Sequence, residues 1–205
     1  MIALYISALV TFFVVIDPPG CAPIFASLTN GTDAAHRRAM AFRSVGIAAA
    51  VLLAFALVGE AFLRAMGIGL DAFRVAGGIM LFLIALEMVF EKRTERRENR
   101  AAEVKNRNPE DISVFPMAIP MIAGPGSIAS AMLMTSRRAG AMEVVVVLAA
   151  LGTILLVCLA ALLAAGPLMR RVGERGEAMV TRLLGVILAA LAAQFVIDGI
   201  RASFA

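Results

Sequence analysis

The sequence predicts an all-α membrane protein. Six transmembrane helices form two inverted three-helix repeats, with a broken first helix in each repeat. Three observations carry this prediction. First, 61% of the 205 residues are hydrophobic and only 17% are charged, with a mean hydropathy of +0.90. Ordinary soluble domains carry roughly 25% charge, and a soluble domain of this size leaves too much surface outside to hide so much apolar side chain. Second, the apolar residues fall into six runs, each close to the roughly 20 residues that span a bilayer. Third, the first run of each half is interrupted by Pro and Gly at matching positions. The same composition excludes a disordered chain.

The first run, residues 2–28, lacks a basic leader and a small-residue cleavage site, so it reads as a retained span. It is interrupted by Asp17-Pro18-Pro19-Gly20, with Pro23 just after. Runs 41–63 and 72–90 read as continuous helices. Residues 91–111 (EKRTERRENRAAEVKNRNPED) are densely charged and divide the chain into nearly equal halves. This gives a first repeat over 1–90, a charged cytoplasmic linker over 91–113 and a second repeat over 114–205. The fourth run, 114–135, is interrupted by Pro120 and then Gly124-Pro125-Gly126. Runs 141–165 and 179–200 again read as continuous.

Charge sets the orientation. With six spans, one side of the membrane holds five of the 19 Lys and Arg residues (Arg64, Arg74, Arg137, Arg138 and Arg201), and the other holds fourteen, half of them in the linker. The positive-inside rule makes the second side cytoplasmic, with both termini outside. This distribution also explains the net charge of +4 without a nucleic-acid partner. The partners expected are the bilayer and a small-molecule substrate, and association into a homo-oligomer is compatible with the chain. Cys21 and Cys158 lie in apolar stretches and read as small buried residues. His36, beside Arg37 and Arg38, reads as a solvated loop residue, so no metal site and no cofactor are expected.

Pro19-Gly20 aligns with Pro125-Gly126 at an offset of 106, and Arg74-x-x-Gly77 aligns with Arg182-x-x-Gly185 at 108. Three spans per half force the second copy through the membrane the opposite way. This is the plan of many secondary transporters, whose sites form where broken helices meet near the midplane. Broken helices in hydrocarbon leave backbone N–H and C=O groups unpaired, at several kcal/mol each, unless protein, water or substrate satisfies them. The helix starting after Gly126 offers free N–H groups and a positive dipole end to an anionic group, with Ser127 as N-cap or hydroxyl donor. Asp17 suits a substrate ammonium, H⁺ or Na⁺. Its plainer reading is the N-cap of a helix starting at Pro18.

The candidate substrate-binding residues are therefore Asp17, Pro18, Pro19, Gly20, Gly124, Pro125, Gly126, Ser127 and Gln194. The coupling-ion candidates are Asp17 and Glu87. An acceptor at Asp17 with donors at Gly124–Ser127 suits a zwitterion, and the small residues favour a small one. No basic residue lies within either break, which argues against a strongly anionic cargo. A thiol-redox enzyme requires paired thiols. Cys21 and Cys158, 137 residues apart, fall at non-equivalent repeat positions, so no enzyme is expected.

Four segments, VIDPPGCAPIF (Val15–Phe25), RVAGGIMLFLIALEM (Arg74–Met88), FPMAIPMIAGPGSI (Phe115–Ile128) and RLLGVILAALAAQFVIDGI (Arg182–Ile200), resemble the MarC family of bacterial integral membrane proteins. The resemblance covers essentially the whole chain. It implies six spans in the bacterial inner membrane. It also implies transport of small neutral amino acids such as glycine or alanine, coupled to H⁺ or Na⁺. The alternatives are transport of a lipid-linked phosphate, which helix N-termini also suit, and a passive channel.

Overall fold

The structure is a computed structural model describing residues 1–106, 111–136 and 140–204. Within these, the side chains of 94, 100, 104–106 and 166–178 are not described. Of the residues used for orientation, Arg107, Arg137 and Arg138 fall outside the described residues, as do the side chains of Arg100, Lys105, Arg170, Arg171 and Arg175.

Among the described residues there are helices and no strand. The helices are α1 (Ile2–Ile16), α2 (Pro18–Leu28), α3 (Ala34–Ala65), α4 (Leu70–Val89), α5 (Lys92–Asn106), α6 (Pro125–Ser136), α7 (Ala141–Leu163) and α8 (Ala165–Ser203). Five segments are long and apolar enough to cross a membrane: Ile2–Leu28, Ala34–Ala65, Leu70–Val89, Ala141–Leu163 and Met179–Ser203. A sixth arises if Ser113–Ile122 and Pro125–Ser136, bent by 55°, count as one span. The outward faces are apolar, as lipid contact demands. Leu57, Leu83, Leu156, Leu183 and Val186 are all exposed.

Each boundary has a local cause. Asp17 ends α1 and starts α2 within one residue. It adopts a left-handed backbone (φ 58°), its N–H bonds Phe13 O at 2.9 Å, and its Oδ1 accepts from Gly20 N at 3.1 Å. Asp tolerates this conformation better than most residues, and Pro18 at the first helical position has no N–H to lose. The first break is thus one residue long, and Pro18, Pro19 and Gly20 are helical. They were expected to be part of the interruption. Asp33 caps α3 through Ala35 N at 2.9 Å and His36 N at 3.3 Å.

The second break is more extensive than the sequence indicates. Residues 113–122 form a wide irregular turn in which Phe115 and Ile119 are extended, each followed by a proline in a cis peptide. Pro116 joins Pro120 in the interruption. Gly124 is required here because a β-carbon would lie 2.5 Å from Pro120 O.

One further expectation is corrected. Residues 166–178, expected as a loop, are helical in backbone and continuous with the sixth span in the 39-residue α8. Residues 92–106, which the sequence left undecided, form α5.

α4 and α8 pack antiparallel. Asp71, Gly78 and Ala85, seven residues apart along α4, face Gly199, Ala192 and Gly185 on α8. A β-carbon on Gly199 would lie 3.0 Å from Asp71 O, one on Gly78 2.9 Å from Ala192 O, and one on Gly185 3.1 Å from Ala85 O. Small residues let helix backbones approach closely in lipid, where no hydrophobic drive favours association. α1 and α2 lie on α7, while α3 lies on α6 and the 113–122 segment. One core gathers Phe12, Phe25, Leu52, Met117, Ile122 and Ile154, and a second gathers Val15, Leu81, Met88, Leu133 and Leu188.

Candidate functional site

A cavity of about 240 Å³ opens between the two breaks and α5. Val15, Ile84, Arg93, Arg96, Arg97, Pro120, Met121 and Gly124 to Ser127 line it. One wall is the start of α6. The first bond of its ladder is Ile128 N to Gly124 O at 3.0 Å, so the Gly126 and Ser127 N–H groups precede it. Gly124 therefore occupies the N-cap, and Ser127 lies in the first turn rather than at the cap. Ser127 is buried, and no described residue bonds its hydroxyl. Gly126 packs against Val15, Leu81 and Ile84, which brings α6 close to α1 and α4.

The opposite wall comes from α5. Arg93, Arg96 and Arg97 share one face by their three- and four-residue spacing, and Ala101 extends that face into the core. Lys92, Glu95, Glu98, Asn99, Ala102 and Glu103 are exposed, and Arg96, at the edge of the inward face, is 55% exposed. Arg97 Nη1 meets Asp17 Oδ2 at 2.9 Å, with side chains 10% and 1% exposed. Arg96 Nη1 meets Glu87 Oε1 at 2.7 Å. Arg93 donates from Nη2 to Val15 O at 2.8 Å and from Nη1 to Met88 Sδ at 2.9 Å. Burial, and then repulsion from Arg97, pull Arg93 down to about 10, which leaves it charged at neutral pH.

The expectation that the breaks lack bases is thus corrected. Neither break contains one in sequence, but the linker folds back and supplies them. The spacing Arg93, Arg96, Arg97, Arg100 with Ala101 was a visible helical stripe. It was missed because a segment so rich in charge reads as solvated.

The predicted residues divide in space. Gly124, Pro125, Gly126 and Ser127 line the cavity. Asp17 and Gly20 sit just behind it, under Arg97. Pro18 and Pro19 occupy the first turn of α2. Glu87 reaches the rim through Arg96. Gln194 lies apart, exposed on α8, where its amide donates to Asp198 Oδ1 at 2.7 Å. Cys21 and Cys158 are fully buried free thiols in side-chain contact with one another between α2 and α7. Their non-equivalent repeat positions did not keep them apart, because packing between halves joins non-equivalent positions as readily as equivalent ones. Among the described residues, no group of three His, Cys, Asp or Glu is placed to hold a metal ion.

The sequence matches the description "MarC family integral membrane protein" over residues 2–204. The chain belongs to the MarC family. Its relatives include a UPF0056 membrane protein of Methanocaldococcus jannaschii, 38% identical over 201 residues and covering 96% of each chain. The UPF0056 inner membrane protein YhgN of Escherichia coli K12 is 34% identical over 199 residues, covering 96% of this chain and 95% of its own. The UPF0056 membrane protein YhcE of the same strain is 30% identical over 201 residues, covering 98% and 93%. None of these names is enzymatic. No solved structure matches. As in the rest of this family by description, the chain is an integral membrane protein with several apolar helices.

Proposed function

We propose that this MarC family member is a secondary transporter of small neutral amino acids, glycine or alanine in size, working by alternating access with H⁺ or Na⁺ coupling. One observation carries the reading: a small cavity faces the free N–H groups of α6 on one wall and, on the other, Arg97, whose ion pair with the buried Asp17 lies just behind that wall. The N–H groups of Gly126 and Ser127, with the Ser127 hydroxyl, suit a carboxylate. About 240 Å³ is below the 300–1,000 Å³ of drug-sized ligand pockets, which favours a small solute. Asp17 serves as the coupling group. A proton, a sodium ion or the substrate ammonium at Asp17 competes with Arg97 and releases α5 from the mouth of the cavity.

The inverted-repeat plan belongs to this reading. Gly78 and Gly185, 107 residues apart, meet Ala192 with Val196 and Ala85 with Val89, which are each 107 apart as well. This reciprocity is what a two-fold axis between the halves requires, and it aligns Gly78, not Gly77, with Gly185. The reading also keeps the linker cytoplasmic and both termini outside, in a bacterial inner membrane.

Proteoliposomes with labelled glycine and alanine test it. Uptake or exchange under an H⁺ or Na⁺ gradient is expected, and none under either gradient removes the proposal. Asp17→Asn should lower uptake about tenfold or more, the worth of a charge-assisted hydrogen bond. A near-normal rate would end the role given to Asp17. A second reading, transport of a lipid-linked phosphate, gains from the arginines lining the cavity. Stimulation of phospholipid-phosphate flipping with no amino acid uptake would favour it.

A further inference from the structure

Each of the other two arginines lining the cavity has a carboxylate. Arg97 has Asp17, and Arg96 has Glu87. Arg93 is 7% exposed and has no carboxylate of its own: the charge of Asp17 reaches it, but that carboxylate is bonded to Arg97. Its two hydrogen bonds end on a backbone carbonyl and a thioether, both neutral. A buried charge whose nearby carboxylate is bonded to another arginine is costly in a low-dielectric interior, where buried charges are normally paired. A guanidinium has five donors in a fixed fork, so three of them remain. Arg93 lines the same cavity as Ser127, which is 2% exposed and whose hydroxyl bonds no described group. The N–H groups of Gly126 and Ser127 open onto this space too.

We infer that Arg93, although contributed by the linker helix, is the counter-charge of an oxyanion site completed by Ser127 and the first turn of α6. The ligand is a small solute's carboxylate, held between a guanidinium fork and a helix N-terminus. Identifying it with the carboxylate of an amino acid rests on the transport reading above, but the oxyanion site itself does not. Arg93 also bonds Val15 O, so the anion ties the linker, α1 and α6 together at one point.

The test is calorimetric titration of the full chain in nanodiscs with glycine, with glycinamide, which lacks the carboxylate, and with inorganic phosphate. Glycine should bind and glycinamide should not. Arg93→Gln should weaken glycine about tenfold or more, and Arg93→Lys should recover part of the loss, since lysine keeps the charge without the fork. Ser127→Ala, a change of one hydroxyl, should weaken it several-fold and keeps the test open if Arg93→Gln does not fold. If phosphate binds and depends on Arg93 while glycine does not bind, the oxyanion site stands and the amino acid cargo falls. The inference is overturned if neither anion binds the wild type. Unchanged affinity in both Arg93→Lys and Ser127→Ala, or in a folded Arg93→Gln, also overturns it.

Discussion

Gly20 sits where a β-carbon does not fit. One built there would lie 2.3 Å from Asp17 Oδ2 and 2.7 Å from Arg97 Nη1. The ion pair closes over the bare backbone of α2, so the glycine, the acid and the arginine form one unit. Removing one member of a buried pair typically costs about 3–5 kcal/mol, because the survivor is left charged and unpaired. Gly20→Ala keeps both charges and pushes them apart. It should therefore release α5 without removing either partner. Hydrogen exchange of the α5 amides is expected to accelerate, since that helix then opens locally. Exchange equal to wild type would mean that the pair does not hold α5 down. Asp17 and Gly20 were legible as special residues in the sequence, because an acid and a glycine beside two prolines have few uses in hydrocarbon. Arg97 was not, since nothing local to DPPG announces a partner 80 residues away.

At the scale of elements, the spans were legible and their interruptions only partly so. A bilayer imposes length and apolarity on any helix that crosses it, so the six runs follow from hydropathy alone. Whether a Pro/Gly cluster unwinds one residue or ten depends on what packs around it. At the first break, Asp17 absorbs the change alone. At the second, Pro116 and Pro120 each follow an extended residue, and the irregularity runs from Ser113 to Ile122. The helix in the linker was not legible because its inward face is made of arginines rather than leucines. The α4–α8 contact carries the clearest element-scale prediction. A side chain on Gly78 meets the backbone of α8 at 2.9–3.0 Å, and backbone cannot move aside as a flexible side chain would. Gly78→Val should cost about 1–3 kcal/mol through overpacking. Gly46→Ala, with nothing within 4 Å of the new carbon, should be neutral or stabilising. Thermal unfolding in detergent compares the two, and equal midpoints would show that α4 and α8 do not need the close approach.

For the whole molecule, among the described residues α5 is the helix that the proposed repeat leaves without a counterpart in the other half. The glycine contacts of α4 and α8 repeat at a constant interval, and α1 with α2 on α7 mirrors the 113–122 segment with α6 on α3. α5 lies across this arrangement and closes one side of the cavity, so it distinguishes the two faces of the proposed inverted repeat. If the halves exchange access, α5 must swing about its junction with α4, where Glu91 adopts a left-handed backbone (φ 61°). Arg96 and Glu87 bridge that junction from either side. Replacing both with cysteine and joining them with a short bifunctional maleimide would fix the angle between α4 and α5. Cys21 and Cys158, both fully buried, are shielded from the reagent. Transport by the joined protein should fall to background when measured against the same double variant left unjoined, which carries both substitutions and isolates the effect of the link. Equal uptake before and after joining would show that α5 stays in place through the cycle, and the exit path would then have to run between the breaks on the opposite face.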